Sequence, residues 1–400
     1  MKVIKHLTLL LLLTATANAQ NIMTSSPYSM FGIGEIVTGL YGSNSAMGGV
    51  STGMRGSWLL NTENPAGLTG LDSLRLFAET SAFLKSESYQ SKSGSSHAFT
   101  GNVSAFTLAG RIIPRWYMAA GLTPYSSVGY YFQSTEELEG APGSYYTSTF
   151  EGYGGLSKVY LTNAFLLSKN LSVGINLSYI FGNTKLIESQ SSISVENRMY
   201  TQAFYADFGL QYHRQLSRDL SLTAGAVYGY KQKMKMSNST AITYGSSETE
   251  QSERSTTQYL PQYAGVGGSL AYKKWTYAFD YQFQRYSSLS SGDSRVKFRD
   301  AHELKLGVCY FPNGYSTGSY WKRVTYKAGV NLSTPYLQVS GQTGYAYRLS
   351  AGLGLPVLNG QLNAAFYYDC TQLKNNIFGK DVFGLTISYT LSELFYRPKL

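Results

Sequence analysis

Charged residues and long apolar runs are both scarce in this chain of 400 residues. Only 14% of its residues are charged, whereas a soluble domain carries about 25%. Beyond residue 19, no stretch reaches the roughly 18 apolar residues that a membrane-spanning helix requires. The sequence therefore fits neither an ordinary soluble domain nor a helical membrane protein.

Motifs for metals, nucleotides and nucleic acids are also missing. Apart from one histidine in the leader, the chain has only His97, His213 and His302, and their spacing is not that of metal ligands. The sequence contains neither a phosphate-binding loop nor a dinucleotide fingerprint. Its basic residues are scattered, which argues against nucleic-acid binding. We therefore expect no cofactor, no metal site and no nucleic-acid partner.

What the chain has instead is tyrosine and a two-residue alternation of apolar and polar side chains. Aromatic residues make up 14% of it, and 35 of them are tyrosines. From Trp275 to Phe283 every odd position is aromatic and every even position is small or polar. A ring-rich face of this kind is typical of a strand that faces lipid. A secreted soluble β protein, whose apolar face would favour Val, Ile and Leu, is the less favoured alternative.

The alternation predicts fourteen strands separated by connections that are short and long in turn. Short periplasmic turns and long outer loops are the rule for outer-membrane barrels. The sequence thus predicts an all-β fold, a 14-stranded antiparallel transmembrane β-barrel in the outer membrane of a Gram-negative cell. The strands are expected near residues 72–86, 97–113, 115–130, 153–168, 170–188, 195–216, 219–236, 256–272, 274–289, 296–311, 321–336, 343–355, 359–372 and 380–391.

The N-terminal part of the chain divides into a leader and a compact segment. Residues 1–19 are predicted to be a signal peptide, because Lys2 and Lys5 precede an apolar core and residues 17–19 form a small-x-small cleavage site. Residues 20–70 are rich in Gly, Ser, Asn and Met and show neither the helical period nor the alternation of a strand. This predicts a hatch (plug) inside the barrel lumen. Residues 71–392 are assigned to the barrel and residues 393–400 to a periplasmic C-terminal tail.

The polar phase of the strands predicts which side chains face the lumen. Cys309 shares that phase and Cys370 the lipid-facing one, so we expect two free thiols. Lys327 and Arg348 are candidate contacts for a ligand carboxylate, although a salt-bridged lumen that holds the hatch in place is the favoured alternative. The predicted lumen residues are Asp207, Asp280, Gln282, Glu303, Lys305, Arg323, Lys327, Arg348 and Asp369.

Pro124 interrupts the strand predicted near residues 115–130, with Gly121 and Gly129 close by. Proline has no backbone donor and cannot complete a ladder. Two interpretations stay open: a small hole in the barrel wall, or a harmless bulge above the bilayer.

An enzymatic interpretation finds little support, and the chain is predicted not to be an enzyme. His213 shares the lumen phase with Asp207 and lies near Ser217 in sequence. A Ser–His pair could hydrolyse lipid, but no motif supports this.

Four features together resemble the FadL-type family of outer-membrane transporters for long-chain fatty acids and other hydrophobic compounds. They are the Met-Gly-Gly and Asn-Pro-Ala motifs of the compact segment, the Gly-Leu-Thr-Pro-Tyr stretch at 121–125, and the fourteen strands. The resemblance implies hatch residues and a kink at a lateral opening. The hatch residues would be Met47, Gly48, Gly49, Asn64, Pro65 and Ala66, and the kink residues Gly121 and Pro124.

The resemblance also implies a function, which is passive transport. A hydrophobic ligand such as a long-chain fatty acid would enter from outside, reach a pocket near the N-terminus, and leave through the kinked strand into the outer-membrane lipid. One alternative is a barrel that serves a protein secretion system and binds cargo or machinery. A purely structural or adhesive barrel is a third.

Overall fold

The computed structural model describes residues 26–37, 41–91, 94–245, 247–289, 296–312, 319–339, 341–373 and 378–395. Most of this part of the chain is extended, and no helix within it is long and apolar enough to cross a membrane. The predicted signal peptide, residues 1–19, lies outside the described residues, as do residues 396–400 of the predicted tail.

The strands, numbered in chain order, have the following bounds: β1 Glu35–Ile36, β2 Arg75–Ser91, β3 Gly94–Ile113, β4 Trp116–Glu137, β5 Tyr145–Leu166, β6 Leu171–Gln190, β7 Ile193–Ser217, β8 Leu220–Gly229, β9 Gln232–Tyr244, β10 Ser247–Leu260, β11 Gln262–Tyr272, β12 Trp275–Arg285, β13 Val296–Phe298, β14 Ala301–Tyr310, β15 Thr325–Ser333, β16 Leu337–Val339, β17 Gly344–Val357, β18 Gly360–Leu373 and β19 Phe378–Leu394. The helical segments are short. They are 3-10 turns at Pro27–Met30, Ser45–Met47, Pro65–Gly70 and Tyr286–Ser288, and one α-helical turn, α1, at Tyr320–Arg323.

The long strands form a closed antiparallel ring. Each pairs with its neighbours in the chain, and β19 returns to pair with β2 from Leu394↔Arg75 to Phe378↔Ser91. Strands β8 and β9 both pair with β7 and are two parts of one barrel strand, as are β10 and β11. The ring therefore has fourteen strands, as the alternation predicts. Closure gives each strand a partner on both sides, which a lipid environment demands.

One end of the barrel carries tight turns, at the positions where short connections are expected. Two-residue links join β3 to β4, β7 to β8, β11 to β12 and β17 to β18. Arg115, Lys273 and Leu358 in these links have positive φ angles of 71°, 53° and 50°, as hairpin turns that match the twist of the strands require.

At the other end, the long loops expected between the predicted strands are wrong, because the strands continue as hairpins. The stretches at 86–96, 133–152, 188–194 and 237–255, where those loops are expected, lie largely within β2–β3, β4–β5, β6–β7 and β9–β10. Their polar side chains stand in water rather than lipid, so the apolar alternation fades while the backbone ladder goes on. Thr, Tyr and Ser in these stretches pair well on a solvated sheet.

Side chains alternate between the two sides of the wall. On the outer side large apolar side chains are exposed, among them Phe204 (73%), Phe279 (51%) and Leu306 (50%). On the inner side small and polar side chains such as Thr162 and Ser172 are buried. An apolar outer band around a polar interior is the arrangement of a barrel in a bilayer.

The lumen prediction is wrong for Arg323. This residue lies in α1, outside the barrel wall, and is exposed, because the predicted strand at 321–336 begins only at Thr325. Both cysteines are free thiols. Cys309 packs against the inner apolar cluster that contains Met47, and Cys370 pairs with Tyr347 across the ladder of β17 and β18.

We expect a charge on the outer face to destabilise the barrel. Leu306→Arg should lower the free energy of unfolding in lipid vesicles by about 2–4 kcal/mol, because the guanidinium must enter the apolar band. Urea titration followed by tryptophan fluorescence measures this change. Leu358→Arg is the control: Leu358 is 95% exposed in a tight turn, and its replacement should change stability by no more than about 0.5 kcal/mol. Equal effects of the two substitutions would contradict the assignment of the outer face.

Candidate functional site in the barrel lumen

Residues 41–71, here called the inner segment, contact the inner faces of strands around much of the ring. Met47 is 1% exposed and packs with Val50, Met54 and Ala278. The Gly48 amide donates to Ser350 Oγ at 2.8 Å. Gly48 has a φ of +69°, and a Cβ there would lie 2.7 Å from the Val330 carbonyl oxygen. Only glycine fits at this position.

The Asn-Pro-Ala motif starts a 3-10 turn and fastens it to the wall. Asn64 Oδ1 accepts from the Ala66 amide at 3.1 Å, which caps the turn at Pro65–Gly70. Asn64 Nδ2 donates to the carbonyls of Thr52 at 2.7 Å and Leu210 at 3.2 Å. Ala66 is fully buried. One side chain therefore joins two parts of the inner segment to β7.

Polar lumen side chains satisfy the irregular backbone of the inner segment. Asp280 Oδ2 on β12 accepts from the amides of Ser51 at 2.6 Å and Thr52 at 2.9 Å. Gln211 Nε2 on β7 donates to the carbonyls of Thr52 at 3.1 Å and Met54 at 3.0 Å. Buried backbone groups need such partners. The polar lumen thus serves the inner segment directly.

The two candidate ligand cations have protein partners. Lys327 Nζ donates to the Ser43 carbonyl at 2.9 Å and to Asn363 Oδ1 at 3.1 Å. Arg348 donates to both carboxylate oxygens of Asp369, with Nη2 to Oδ2 at 2.7 Å. These contacts favour the structural interpretation of both cations, and a role in ligand binding stays a prediction.

The ladder between β3 and β4 is incomplete. It runs from Ile113↔Trp116 to Phe106↔Leu122 and ends there, although β3 extends back to Gly94 and β4 forward to Glu137. The two strands therefore separate over the outer half of the wall. This interruption is here called the wall break.

Gly121 and Pro124 lie on either side of the last pair of this ladder. A Cβ on Gly121 would come within 2.4 Å of both the Phe106 carbonyl oxygen and Tyr160 Oη. Pro124 cannot donate to a ladder, and Tyr125 is the bulged residue between the pairs that Pro124 and Ser126 make with β5. The structure places both residues at the wall break. That they open a lateral path stays a prediction.

Residues 29–37, here called the strap, pair with the edge of β4 beyond the wall break. In β1, Glu35 pairs with Ser127 and Ile36 with Ser126. The Val37 amide donates to the Tyr125 carbonyl at 3.0 Å. Further along the strand, Ser29 Oγ accepts from the Gly129 amide at 3.0 Å. The strap supplies hydrogen bonds that β3 would otherwise make.

Buried ion pairs tie the strap to the other side of the wall break. Lys380 Nζ on β19 pairs with Glu35 Oε1 at 2.5 Å and with Glu87 Oε1 at 3.2 Å. Lys85 Nζ on β2 pairs with the same Glu87 oxygen at 2.9 Å. Two cations and two carboxylates balance, so burial leaves no uncompensated charge. The strap is thus held to β4 by its backbone and to Lys380 of β19 by Glu35.

An apolar cavity of about 520 Å³ lies beside the strap, within the size range of ligand pockets. The strap contributes Met30, Phe31, Ile33 and Ile36 to it. The barrel and its outer loops contribute mainly methionine and aromatic side chains, notably Met199, Met234, Met236, Tyr130, Phe150, Tyr286, Phe298 and Tyr336. Burial raises the pKa of the Tyr286 and Tyr336 phenols above the ordinary value, so both stay neutral.

A second cavity, of about 240 Å³, adjoins the first and shares Ile36, Tyr286 and Tyr336 with it. Its lining includes charged groups such as Arg348 and Lys380. The first cavity lies beside the wall break. Tyr130 of β4 lines it together with Ile33 and Ile36 of the strap, and the bulged Tyr125 packs with Ile33 on the apolar cluster that contains Met234 and Met236.

The enzymatic candidates are not brought together. His213 Nδ1 lies 2.9 Å from Thr223 Oγ1, and Asp207 Oδ1 accepts from Asn176 Nδ2 at 2.7 Å. In the described part of the chain, no group of three or more His, Cys, Asp or Glu could hold a metal ion.

Sequence reasoning missed the strap and the apolar cavity. Residues 35–36 form a two-residue strand, too short for any period. Met234 and Met236 alternate with lysines, which is a recognisable pattern, but a single strand does not show that its inner face meets the strap. The Ile-Val pair at 36–37, within a glycine-rich stretch, was the available signal.

Comparison with solved structures shows which barrel fold this is. The CymD monoaromatic hydrocarbon channel is 16% identical, with a TM-score of 0.56 over 95% of this chain and 100% of that one. The Ralstonia pickettii toluene transporter TbuX is 16% identical, with a TM-score of 0.58 over 87% and 97%. A Pseudomonas aeruginosa FadL homologue is 13% identical, with a TM-score of 0.54 over 94% and 100%. Identities this low show a shared fold only.

The closed ring of fourteen strands, its apolar outer face and this likeness define an integral outer-membrane β-barrel of FadL-type fold. The predicted fold resemblance and localisation are confirmed. The similar structures are named as channels and transporters, in line with the prediction that the chain is not an enzyme. The chain belongs to the BamG family, whose model matches residues 1–399. No curated protein matches its sequence.

We expect Asp280 to hold the inner segment in place. Asp280→Ala should free this segment, because two buried amides lose their acceptor at a cost of about 2–5 kcal/mol. Proteinase K should then cut faster between residues 41 and 71 of the folded protein in detergent, as mapped by mass spectrometry. Asp280→Asn keeps an acceptor oxygen and serves as the control. Identical cleavage of Asp280→Ala and Asp280→Asn would show that these hydrogen bonds do not retain the segment.

Proposed function

We propose that this chain is a passive outer-membrane channel for hydrophobic small molecules, which leave sideways between β3 and β4. One observation carries the proposal. The strap lines an apolar cavity of about 520 Å³ and also pairs with the edge of β4 at the wall break, so the cavity and the break lie side by side. A molecule leaving there enters lipid without crossing water. Transfer out of water favours this route by roughly 0.8 kcal/mol for each methylene buried.

In this proposal the N-terminal residues 20–70 act as the hatch and residues 71–392 as the barrel. The inner segment closes the periplasmic half of the lumen through the contacts of Asn64, Asp280 and Gln211. The strap is the part that moves, because a two-residue ladder, a few single hydrogen bonds such as those of Ser29 and Ile33, and the Glu35 carboxylate hold it. Lateral exit then needs no displacement of the inner segment.

The residues that line the cavity indicate which class of ligand it would bind. Among its described lining residues there is no lysine or arginine. A fatty-acid carboxylate would have to reach the second cavity, where Arg348 is paired with Asp369 and Lys380 with Glu35. The proposed ligand is therefore recognised by its apolar part. Two of the similar structures are a monoaromatic hydrocarbon channel and a toluene transporter, whose ligands have that chemistry.

Locking the strap to β4 tests lateral exit. Ile36 and Ser126 are directly paired, and paired antiparallel residues lie about 4.5–5.5 Å apart at Cα, within the reach of a disulfide. In a Cys309→Ala/Cys370→Ala background, oxidised Ile36→Cys/Ser126→Cys should lose most uptake of a hydrophobic compound into cells, and reduction should restore it. Each single-cysteine variant is a control. Full uptake through the oxidised barrel would exclude movement of the strap as the exit step.

Filling the cavity tests whether it binds ligand. Met236→Trp should cut the amount of hydrophobic compound that co-purifies in mild detergent several-fold, because the indole occupies the space. Mass spectrometry of organic extracts against a mock purification gives the amount. Tyr244→Trp, at the exposed outer end of the same strand, is the matched control. Equal loss in both variants, or no enriched compound in the unaltered protein, would count against the cavity as a binding site.

A second candidate function is that of a barrel partner that binds cargo or machinery of protein secretion. The transporters share only a fold with this chain, at 13–16% identity, so their likeness does not decide between the two functions. The dense hydrogen bonding of the inner segment suits a barrel that never conducts. A stoichiometric protein partner in the same preparations, with no enriched compound, would decide for this function.

A further inference from the structure

The outward face of β9, together with the residue just before it, carries a stripe of exposed lysines at the upper rim of the apolar band. Lys231, Lys233 and Lys235 are all exposed, while Met234 and Met236 between and beside them are buried on the lumen side. These three residues are here called the lysine stripe. Lys231 Nζ lies 4.4 Å from the centroid of the Tyr259 ring.

The apolar band reaches its upper limit beside the stripe. On the neighbouring β7, Tyr212, Leu210, Phe208 and Phe204 are exposed outward apolar side chains. The next outward residue above Phe204 is Gln202, which pairs with Lys235. From Tyr212 to Gln202 the strand runs about 34 Å, which at a tilt of about 35–45° matches the apolar height of about 25 Å. Lys235 therefore stands at the level of the outer-leaflet headgroups, and Lys233 and Lys231 lie two and four residues deeper along the strand, from where their long side chains can extend upward.

A polar groove of about 740 Å³ continues outward from the stripe. Its lining combines cations, ring faces, amides and hydroxyls, which are the groups that bind phosphate and sugar. Glu196 pairs with both Lys185, at 2.7 Å, and Arg198. Glu253 and Arg254 also line the groove, so three cations face two carboxylates. The lining includes Tyr153, Asn183, Lys185, Arg198, Tyr200 and Ser237.

We propose that the lysine stripe and the polar groove bind the phosphorylated sugar headgroup of an outer-leaflet glycolipid. The charge fits: among the described residues no carboxylate forms an ion pair with Lys233 or Lys235, and the groove adds a net positive charge around Glu196. The height fits: acyl chains would lie along Phe204 and its neighbours while the headgroup meets the lysines, which can extend upward to it. The site lies outside the lumen and is independent of the transport proposal.

Native mass spectrometry of the purified barrel tests this binding. The protein is titrated with phosphorylated lipid A and with the same lipid after enzymatic removal of its phosphates. Lys231→Gln/Lys233→Gln/Lys235→Gln should bind the phosphorylated lipid about tenfold more weakly than the unaltered barrel, since charge attraction to each lysine is lost. Retained heat-modifiable mobility on gels confirms that the variant is folded.

The matched control removes three exposed basic residues at the tight-turn end of the barrel, as Lys169→Gln/Arg218→Gln/Lys274→Gln. It changes the net charge by the same amount and should leave lipid binding unchanged. Equal weakening in the two variants would mean attraction by overall charge and would overturn the proposal. So would unchanged binding in the stripe variant, or equal binding of the dephosphorylated lipid by the unaltered barrel.

Discussion

The requirement that every backbone amide and carbonyl within a bilayer be paired governs this structure. At thirteen of the fourteen junctions between neighbouring barrel strands, a backbone ladder meets this requirement, including the ladder that closes the ring from β19 to β2. The junction of β3 with β4 stops at Phe106↔Leu122. The strap therefore forms part of the wall, because it pairs with the edge of β4 from which β3 has separated.

The same requirement explains why the lumen is polar. An irregular segment such as residues 41–71 has amides and carbonyls that no ladder satisfies, and side chains of the barrel must supply their partners. Asp280, Gln211 and Asn176 do so. The strap is tied differently. If Glu35 withdraws, Lys380 still has Glu87 at 3.2 Å, but it then shares this carboxylate with Lys85, so each lysine keeps a partner while the charge balance of the cluster is lost. An ion pair that can be shared suits a part that detaches better than a network of buried amides does.

The two-residue alternation and the lengths of the connections are enough to predict the barrel, because aromatic side chains face the lipid and small side chains face the lumen. These two patterns fail where the surroundings of a strand change along its length from lipid to water. Above the bilayer both faces of a hairpin are wet, so residues 237–255 read as a loop although β9 and β10 pair there. The alternation wrongly predicts Arg323 to face the lumen, because alternation alone does not show where a strand begins. The motifs around Met47 and Asn64 pointed to a packed segment, but their partners, Val330 and Leu210, lie far away in sequence.

The strap and the cavity show why the fold alone leaves function open. A wall break whose β4 edge is tied by few hydrogen bonds is stable only while the strap stays, so either ligand exit or a partner could use the same weakness. The two uses demand different surroundings. A partner would need contact with the β3 and β4 edges from outside or above, whereas an exiting molecule needs an apolar space on the inner side of the strap. The methionine and aromatic lining at Ile33, Met234 and Met236 provides that space. Apolar side chains that line a cavity inside an otherwise polar lumen do not stabilise the barrel wall. A bound apolar molecule would give them a role, and this is the physical reason for preferring transport.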